Sequence, residues 1–248
     1  MTIQQIADNV DTLPDVIQVF IMRHGQTDAN KKHIVQGHLD TDLNEQGILQ
    51  AQTAGKVLKN IQFDAIWSSD LNRCQQTRNN ALQSWLRTLP QERILLSQLL
   101  RERSFSTLEG INIAECIRLL KKTGQTWETF GELPEIFRAR LLKAWDEIIA
   151  HAKSNKLKRV IVVSHGGAIS QLAHALLMNR GFELCDEVKT ESLEGLINTS
   201  LTVINVKKAN NYKGQIVEFN NADHLLDLVV NTHDELNESV EEEVVDNF

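Results

Sequence analysis

Val16-Ile17-Gln18-Val19-Phe20-Ile21-Met22-Arg23-His24-Gly25 decides how this chain is read. Residues 16–22 are mostly apolar, and the run ends abruptly in a cation, an imidazole and a glycine. That pattern predicts a buried strand that turns polar at its carboxyl end. In open α/β sheets that edge is where ligands bind. Arg23 brings a charge for an anion and His24 a ring that can attack or shuttle a proton. Gly25 leaves a backbone with no side chain in the way. Arg-His-Gly alone is short enough to recur by chance, and its weight comes from three later segments.

Working outward, Val160-Ile161-Val162-Val163 is the most strand-like run in the chain. It ends in Ser164-His165-Gly166-Gly167, and a helix is predicted from there to about 178. Asn44 is a predicted N-cap for a helix to about 61, with Ile48, Ala51, Ala54, Leu58 and Ile61 at helical spacing. Residues 63–67 read as a short strand. Ser68-Ser69-Asp70 then opens a helix to about 86, with Ser69 or Asp70 as its cap. A third strand is expected near 94–96, then a polar loop over 99–110. Residues 112–152 read as helical, broken near Gly124 and between Gly131 and Pro134. Strands are predicted over 200–206 and 215–219. The β-α-β-α order implies an α/β fold: a mainly parallel central sheet with helices on both faces and a helical insertion at about 105–152. Residues 1–15 look like a polar leader, 16–231 form the domain, and 232–248 form an acidic tail, solvated or disordered.

The 248 residues are 42% hydrophobic and 24% charged, enough for one well-filled domain. A net charge of −7 argues against a nucleic-acid partner, which wants a basic stripe. Three scattered cysteines, Cys74, Cys116 and Cys185, give no disulfide framework and suit a reducing compartment. No signal peptide and no membrane span is visible, so a cytoplasmic or nuclear location is expected, with no membrane partner.

Arg23 and His24 end the first strand, and Arg73 lies in the first turn of the helix after 68–70. Glu102 sits in a loop between Arg101 and Arg103, and His165 ends the strongest strand. All fall at transitions on the expected ligand edge. Two arginines, two histidines and one carboxylate suit phosphoryl transfer. Guanidinium forks match the oxygens of a phosphoryl group in flight. A neutral imidazole can attack phosphorus and form a phosphohistidine. A second imidazole, if protonated, can donate to the transferring oxygens. A carboxylate can protonate the leaving oxygen and then deprotonate water. Helix N-termini after Ser69 and His165 would aim N–H groups at the same anion. No metal and no cofactor is required.

Arg23-His24-Gly25-Gln26-Thr27 with Asn30, then Gln36-Gly37 and Asp42-Leu43-Asn44, run in order with Ser68-Ser69-Asp70-Leu71 and Arg73. Leu100-Arg101-Glu102-Arg103 and Val163-Ser164-His165-Gly166-Gly167 follow. Together they resemble the histidine phosphatase superfamily, in its phosphoglycerate mutase-like branch. The resemblance implies His24 as the phosphorylated nucleophile and Glu102 as the proton donor. Arg23, Arg73 and His165 would make the phosphate pocket, with Asn30, Gln36, Gly37 and Gly166 bordering it. It implies a small phosphorylated metabolite as substrate and an insertion lying over the active-site edge. One departure is Ser106, where many members carry glycine, which would reshape the loop beside Glu102. Mutases of this branch carry a longer interval between acid and second histidine, with paired arginines, and tend to read His-Gly-Asn. Here the interval is 165 − 102 = 63 residues, without an Arg-Arg pair, and Gly167 follows Gly166. The reading is a phosphatase. The alternatives are a phosphoglycerate mutase or a pseudophosphatase that only binds a phosphorylated ligand.

Other residues invite other chemistry. His33 and His38 flank Gln36-Gly37 but lack a carboxylate partner for a metal. Ser164 lacks the glycine two residues earlier that a nucleophile elbow needs. Cys74 lacks the Cys-x5-Arg loop of a cysteine phosphatase, since Asn80 stands at the arginine position. Trp127, Phe137 and Trp145 read as core of the insertion. Arg101 and Arg103 either bind a second anionic group or salt-bridge on the surface.

Overall fold

Strands alternate with helices along the chain, as the β-α-β-α pattern requires. A computed structural model describes residues 2–11, 15–190, 193–226 and 228. The strands are β1 Val16–Arg23, β2 Ala65–Ser69, β3 Ile94–Ser97, β4 Arg159–Ser164, β5 Glu183–Leu184, β6 Leu201–Lys207 and β7 Gly214–Asn221. They form one sheet in the order β3-β2-β4-β1-β6-β7-β5. The first four in that order run parallel. β6 and β7 add antiparallel beside β1, and β5 pairs parallel with β7. The helices are α1 Ile3–Asp11, α2 Asp28–Lys31, α3 Glu45–Leu58 and α4 Asn72–Ala81. They continue with α5 Gln83–Thr88, α6 Ile113–Thr123, α7 Pro134–Ser154 and α8 Gly166–Arg180.

Both faces of the sheet are buried, so its central strands β1 and β4 carry apolar residues on both faces, with Gln18 and Arg159 as buried exceptions near their start. Ile17, Val19 and Ile21 of β1 and Val160 and Val162 of β4 pack with α7 and α8. Phe20, Met22, Ile161 and Val163 face the other way, against α1, α3 and α5. Parallel pairing of β1 with β4 sets Arg23 opposite Ser164. His24 and His165 therefore leave the sheet side by side at its carboxyl edge.

The structure differs from the sequence reading in several places. Residues 3–11 are not simply a polar leader. Ile3, Ile6 and Ala7 recur at helical spacing and are buried in the core beneath α3. Buried Gln18 and Arg159 hold this helix by donating to the carbonyls of Ile6 (3.2 Å) and Ala7 (2.6 Å). Neither Ser69 nor Asp70 caps the helix: pairing with β3 keeps Ser69 extended, and Leu71 stands at the N-cap position. α4 starts at Asn72 without a side-chain cap and stops at Ala81. Asn44 does cap α3, accepting from Gly47 N at 2.9 Å. The acidic tail expected over 232–248 lies outside the described residues.

The insertion divides. Phe137, Leu141, Trp145 and Ile148 of α7 belong to the main core. α6 instead packs through Cys116 and Leu120 on Val35 and Leu108, a small satellite core. Left-handed Gly124 closes α6, and Pro134 opens α7. Ser106 holds φ at +52°, the left-handed region that glycine favours. Serine bears strain in this conformation that glycine would not. Ser106→Gly should raise stability by up to about 1 kcal/mol, the left-handed penalty less the extra chain entropy of glycine. A shift of the urea midpoint measures it, and an unchanged or lower midpoint would contradict the strain.

Candidate active site

His24 is nearly fully buried, 3% exposed, at the end of β1. Its Nδ1 lies 2.7 Å from Gly25 O. A carbonyl only accepts, so Nδ1 carries the proton and Nε2 keeps its lone pair. Burial, then Arg73 and Arg23, push the ring's pKa well below the ordinary histidine value. The imidazole is therefore neutral at physiological pH. Gly25 N donates to Thr77 Oγ1 at 2.9 Å, which ties the loop after His24 to α4.

Arg73 is buried and Arg23 half-buried, and among the described residues neither forms an ion pair. Burial pulls both below the ordinary arginine value. Arg23 donates through Nη1 to Leu196 O, and its buried Nε has no partner among the described residues. Arg73 donates to Leu39 O and Gly37 O, each at 2.8 Å, and through Nε to His165 Nδ1 at 3.2 Å. Two desolvated cations without a carboxylate partner make a site for an anion.

His165 stands beside His24, ring centroids 5.3 Å apart. Its Nδ1 accepts from Arg73, so Nε2 carries the proton and donates to Ser69 Oγ at 2.9 Å. Burial, then Arg73, push its pKa well down. Both ring nitrogens are engaged, and the ring braces Arg73. Cys74 packs against the same ring, and burial pushes its thiol up to about 12, so it is inert as a nucleophile.

Glu102 reaches the site from the loop after β3. Its Oε2 accepts from Gly167 N at 2.9 Å and its Oε1 from Arg103 N at 2.8 Å. The α8 N-terminus therefore holds this carboxylate, where sequence reasoning had aimed it at the phosphate. A Cβ on Gly167 would lie 2.6 Å from Glu102 Oε1, so glycine there keeps the approach open. The carbonyl of Glu102 accepts from His38 Nε2 at 2.9 Å and Arg140 Nη2 at 3.1 Å. Neither residue was singled out for this from the sequence; both act through a backbone atom, which leaves no motif. His38 is thereby drawn to Glu102 and not into a metal set with His33.

Asn30 and Gln36 border the same cavity. Thr27 donates to the amide oxygen of Asn30 and also approaches that of Gln36, while Thr41 donates to Gln36. With their oxygens held, the NH2 ends are left for a ligand. Gly37 holds φ at +49°, and a Cβ there would lie 2.3 Å from Glu109 Oε1. Arg23, His24, Asn30, Gln36, Gly37, Arg73, Glu102 and Gly166 all line one cavity of about 530 Å³. His165 lies behind its wall. Trp127, expected in the core, also lines the cavity.

A model of the histidine phosphatase superfamily (branch 1) matches residues 19–222. The chain belongs to that superfamily. A Schizosaccharomyces pombe protein named "probable phosphatase" is 38% identical to this histidine phosphatase over 209 residues, covering 84% of this chain and 95% of its own. A Saccharomyces cerevisiae protein named a broad-specificity phosphatase is 40% identical over 170 residues, covering 66% of this chain and 71% of its own. The fold is that of a solved phosphoglycerate mutase from Bacillus anthracis, with a TM-score of 0.70 at 24% identity. That match covers 85% of this chain and 96% of the mutase.

Buried histidines make the histidine phosphatase fold acid-sensitive. Burial lowers His24, His165 and His224, the last to about 4. An unfolded chain protonates all three below about pH 6.5, whereas the folded chain resists. The unfolded state then binds more protons, and stability falls as the pH drops below that point, by up to about 1.4 kcal/mol per pH unit for each group. The urea midpoint at pH 5.5 should lie clearly below that at pH 7.5. A flat profile would rule out buried neutral histidines.

Proposed function

We propose that this histidine phosphatase hydrolyses small phosphomonoesters through a phosphohistidine on His24, without a metal. The observation that carries this reading is the His24 tautomer. Gly25 O fixes the proton on Nδ1, so the Nε2 lone pair is free beside two unpaired, desolvated arginines. Nε2 attacks phosphorus, and the ester oxygen leaves with a proton from Glu102. Water then attacks the phosphohistidine, Glu102 takes its proton, and the phosphoryl group passes from Nε2 to the water oxygen. Arg23 and Arg73 would bind the phosphoryl oxygens, with donors from Asn30, Gln36 and the backbone at Gly37 and Gly166 completing the cradle. His165 would keep Arg73 aimed.

Hydrolysis is favoured over transfer to a phosphoglycerate by the arginines of the insertion. Arg140 pairs with Glu132 at 2.6 Å, Arg138 reaches Gln171, and neither lines the cavity. Among the described residues, no arginine or lysine of the insertion lines the cavity to meet a substrate carboxylate. No helix among the described residues is long and apolar enough to cross a membrane. Three free cysteines support a reducing compartment such as the cytosol.

The test is phosphate release from a panel of alkyl, sugar and aryl phosphates, with and without a chelator. Release that survives the chelator, and that vanadate inhibits, is expected. A folded protein that releases nothing would overturn the reading in favour of a phospho-ligand binder. Complete loss with the chelator would overturn metal independence.

A further inference from the structure

The cavity has two chemically different ends. Its floor holds every charged side chain that lines it: Arg23, His24, Arg73 and Glu102, counting His24 as titratable. Its apolar lining is Ile34, Val35, Phe105, Ile113 and Trp127, with Leu196 of the main core beside Arg23. Phe105 and Trp127 meet edge to face, centroids 5.5 Å apart at 89°. Ile113, at the start of α6, is 41% exposed. Val35, Leu108, Cys116 and Leu120 already close the satellite core. Phe105 and Trp127 pack against that core on one side and line the cavity on the other, so they present apolar surface to a ligand.

A second anionic group on a substrate would need a second cation, and the nearby ones are spent. Arg101 forms a two-pronged pair with Asp70 at 2.7 and 2.6 Å. Arg103 donates to the carbonyls of Trp127, Phe130 and Glu132 at 2.7, 3.0 and 2.6 Å. This rules out the second-anion role open to them from the sequence. Arg103 serves instead to hang the Trp127 loop over the cavity. The group nearest Gly37 is a carboxylate, Glu109, whose Oε1 accepts from His38 N at 3.0 Å and Phe105 N at 2.8 Å. A second phosphate or a carboxylate would meet apolar surface, with no second cation lining the cavity beyond Arg23 and Arg73 among the described residues.

We infer that the preferred substrate carries one phosphate on an uncharged, apolar group of arylalkyl size, and that bisphosphates and phosphocarboxylates are disfavoured. This rests on the phosphatase reading above. The floor and the apolar lining make separate claims, so they fail separately. Apolar burial of the ester group lowers the free energy of the bound transition state, whereas glycerol-like groups would lose their water without gaining hydrogen bonds.

The test compares kcat/KM for 3-phenylpropyl phosphate, glycerol 3-phosphate and 1,6-hexanediol bisphosphate. All three release an alkyl alcohol, so leaving-group chemistry is nearly constant. The phenylpropyl ester should exceed the other two by at least about tenfold. Ile113→Ser, an exposed and fold-safe change, and Trp127→Ala should each shrink that ratio severalfold. In parallel, calorimetry reads binding of 3-phenylpropylphosphonate against propylphosphonate, which requires no turnover. The arylalkyl compound should bind at least about tenfold more tightly, with a more negative heat-capacity change. Equal phosphonate affinities, or a bisphosphate hydrolysed as well as the phenylpropyl ester, would overturn the inference. Selective phosphonate binding without hydrolysis of any ester would remove the phosphatase reading and still support the apolar subsite.

Discussion

His24→Ala should lower phosphate release by about 10⁴-fold or more, as removal of a covalent nucleophile does in enzymes whose catalytic groups act as a unit. No neighbour can take its place. The adjacent imidazole, His165, has its Nδ1 accepting from Arg73 and its Nε2 donating to Ser69, so no lone pair faces the cavity. Cys74 is buried with its thiol held at about 12. Quenching the wild type during turnover should trap one phosphoryl group per chain, labile to acid and stable to base, as expected of a phosphoramidate. The variant should trap none, yet still bind a phosphonate, because Arg23 and Arg73 remain. Wild-type rates from His24→Ala would end the covalent mechanism. Loss of both turnover and phosphonate binding would point to a collapsed cradle, which the melting curve would show.

The strands that build the site were legible because burial on both faces makes them mostly apolar. β1 and β4 could be read directly, and so could the polar residues at their ends. Arg23, His24, Arg73, Glu102 and the glycines could be located because the chemistry fixes their type and order. Residues that act through backbone atoms were not legible. His38 and Arg140 hold the carbonyl of Glu102, and any long donor at a suitable place could do the same. α1 was hidden by composition, since three apolar residues among polar ones suffice for one buried stripe. The cap expected at Ser69 or Asp70 failed because cap signal and strand end share residue types: β-pairing claims Ser69, and the helix starts one residue after Leu71. The role of His165 could not be read because it depends on which neighbour reaches each ring nitrogen. Trp127 does pack on the satellite core as read, and its second role at the cavity was hidden because both demand the same side chain.

Glu102→Ala should slow the hydrolysis of alkyl phosphates by about 10²- to 10⁴-fold, the range for loss of a general acid. For 4-nitrophenyl phosphate the loss should be far smaller, because nitrophenolate leaves without protonation. The geometry gives the carboxylate little freedom. Gly167 N and Arg103 N each hold one oxygen, at 2.9 and 2.8 Å, while His38 and Arg140 hold the carbonyl. Each carboxylate oxygen has a second lone pair, and one of these must carry the proton that meets the leaving oxygen. A fixed group of this kind contributes through proton transfer in the transition state and not through ground-state binding. The defect should therefore fall on kcat and grow with the basicity of the leaving alcohol. An equal loss for alkyl and nitrophenyl esters would leave Glu102 only a positioning role, bracing the α8 N-terminus against the loop after β3. The steepness of the leaving-group series separates the two, because bracing alone cannot distinguish one leaving oxygen from another.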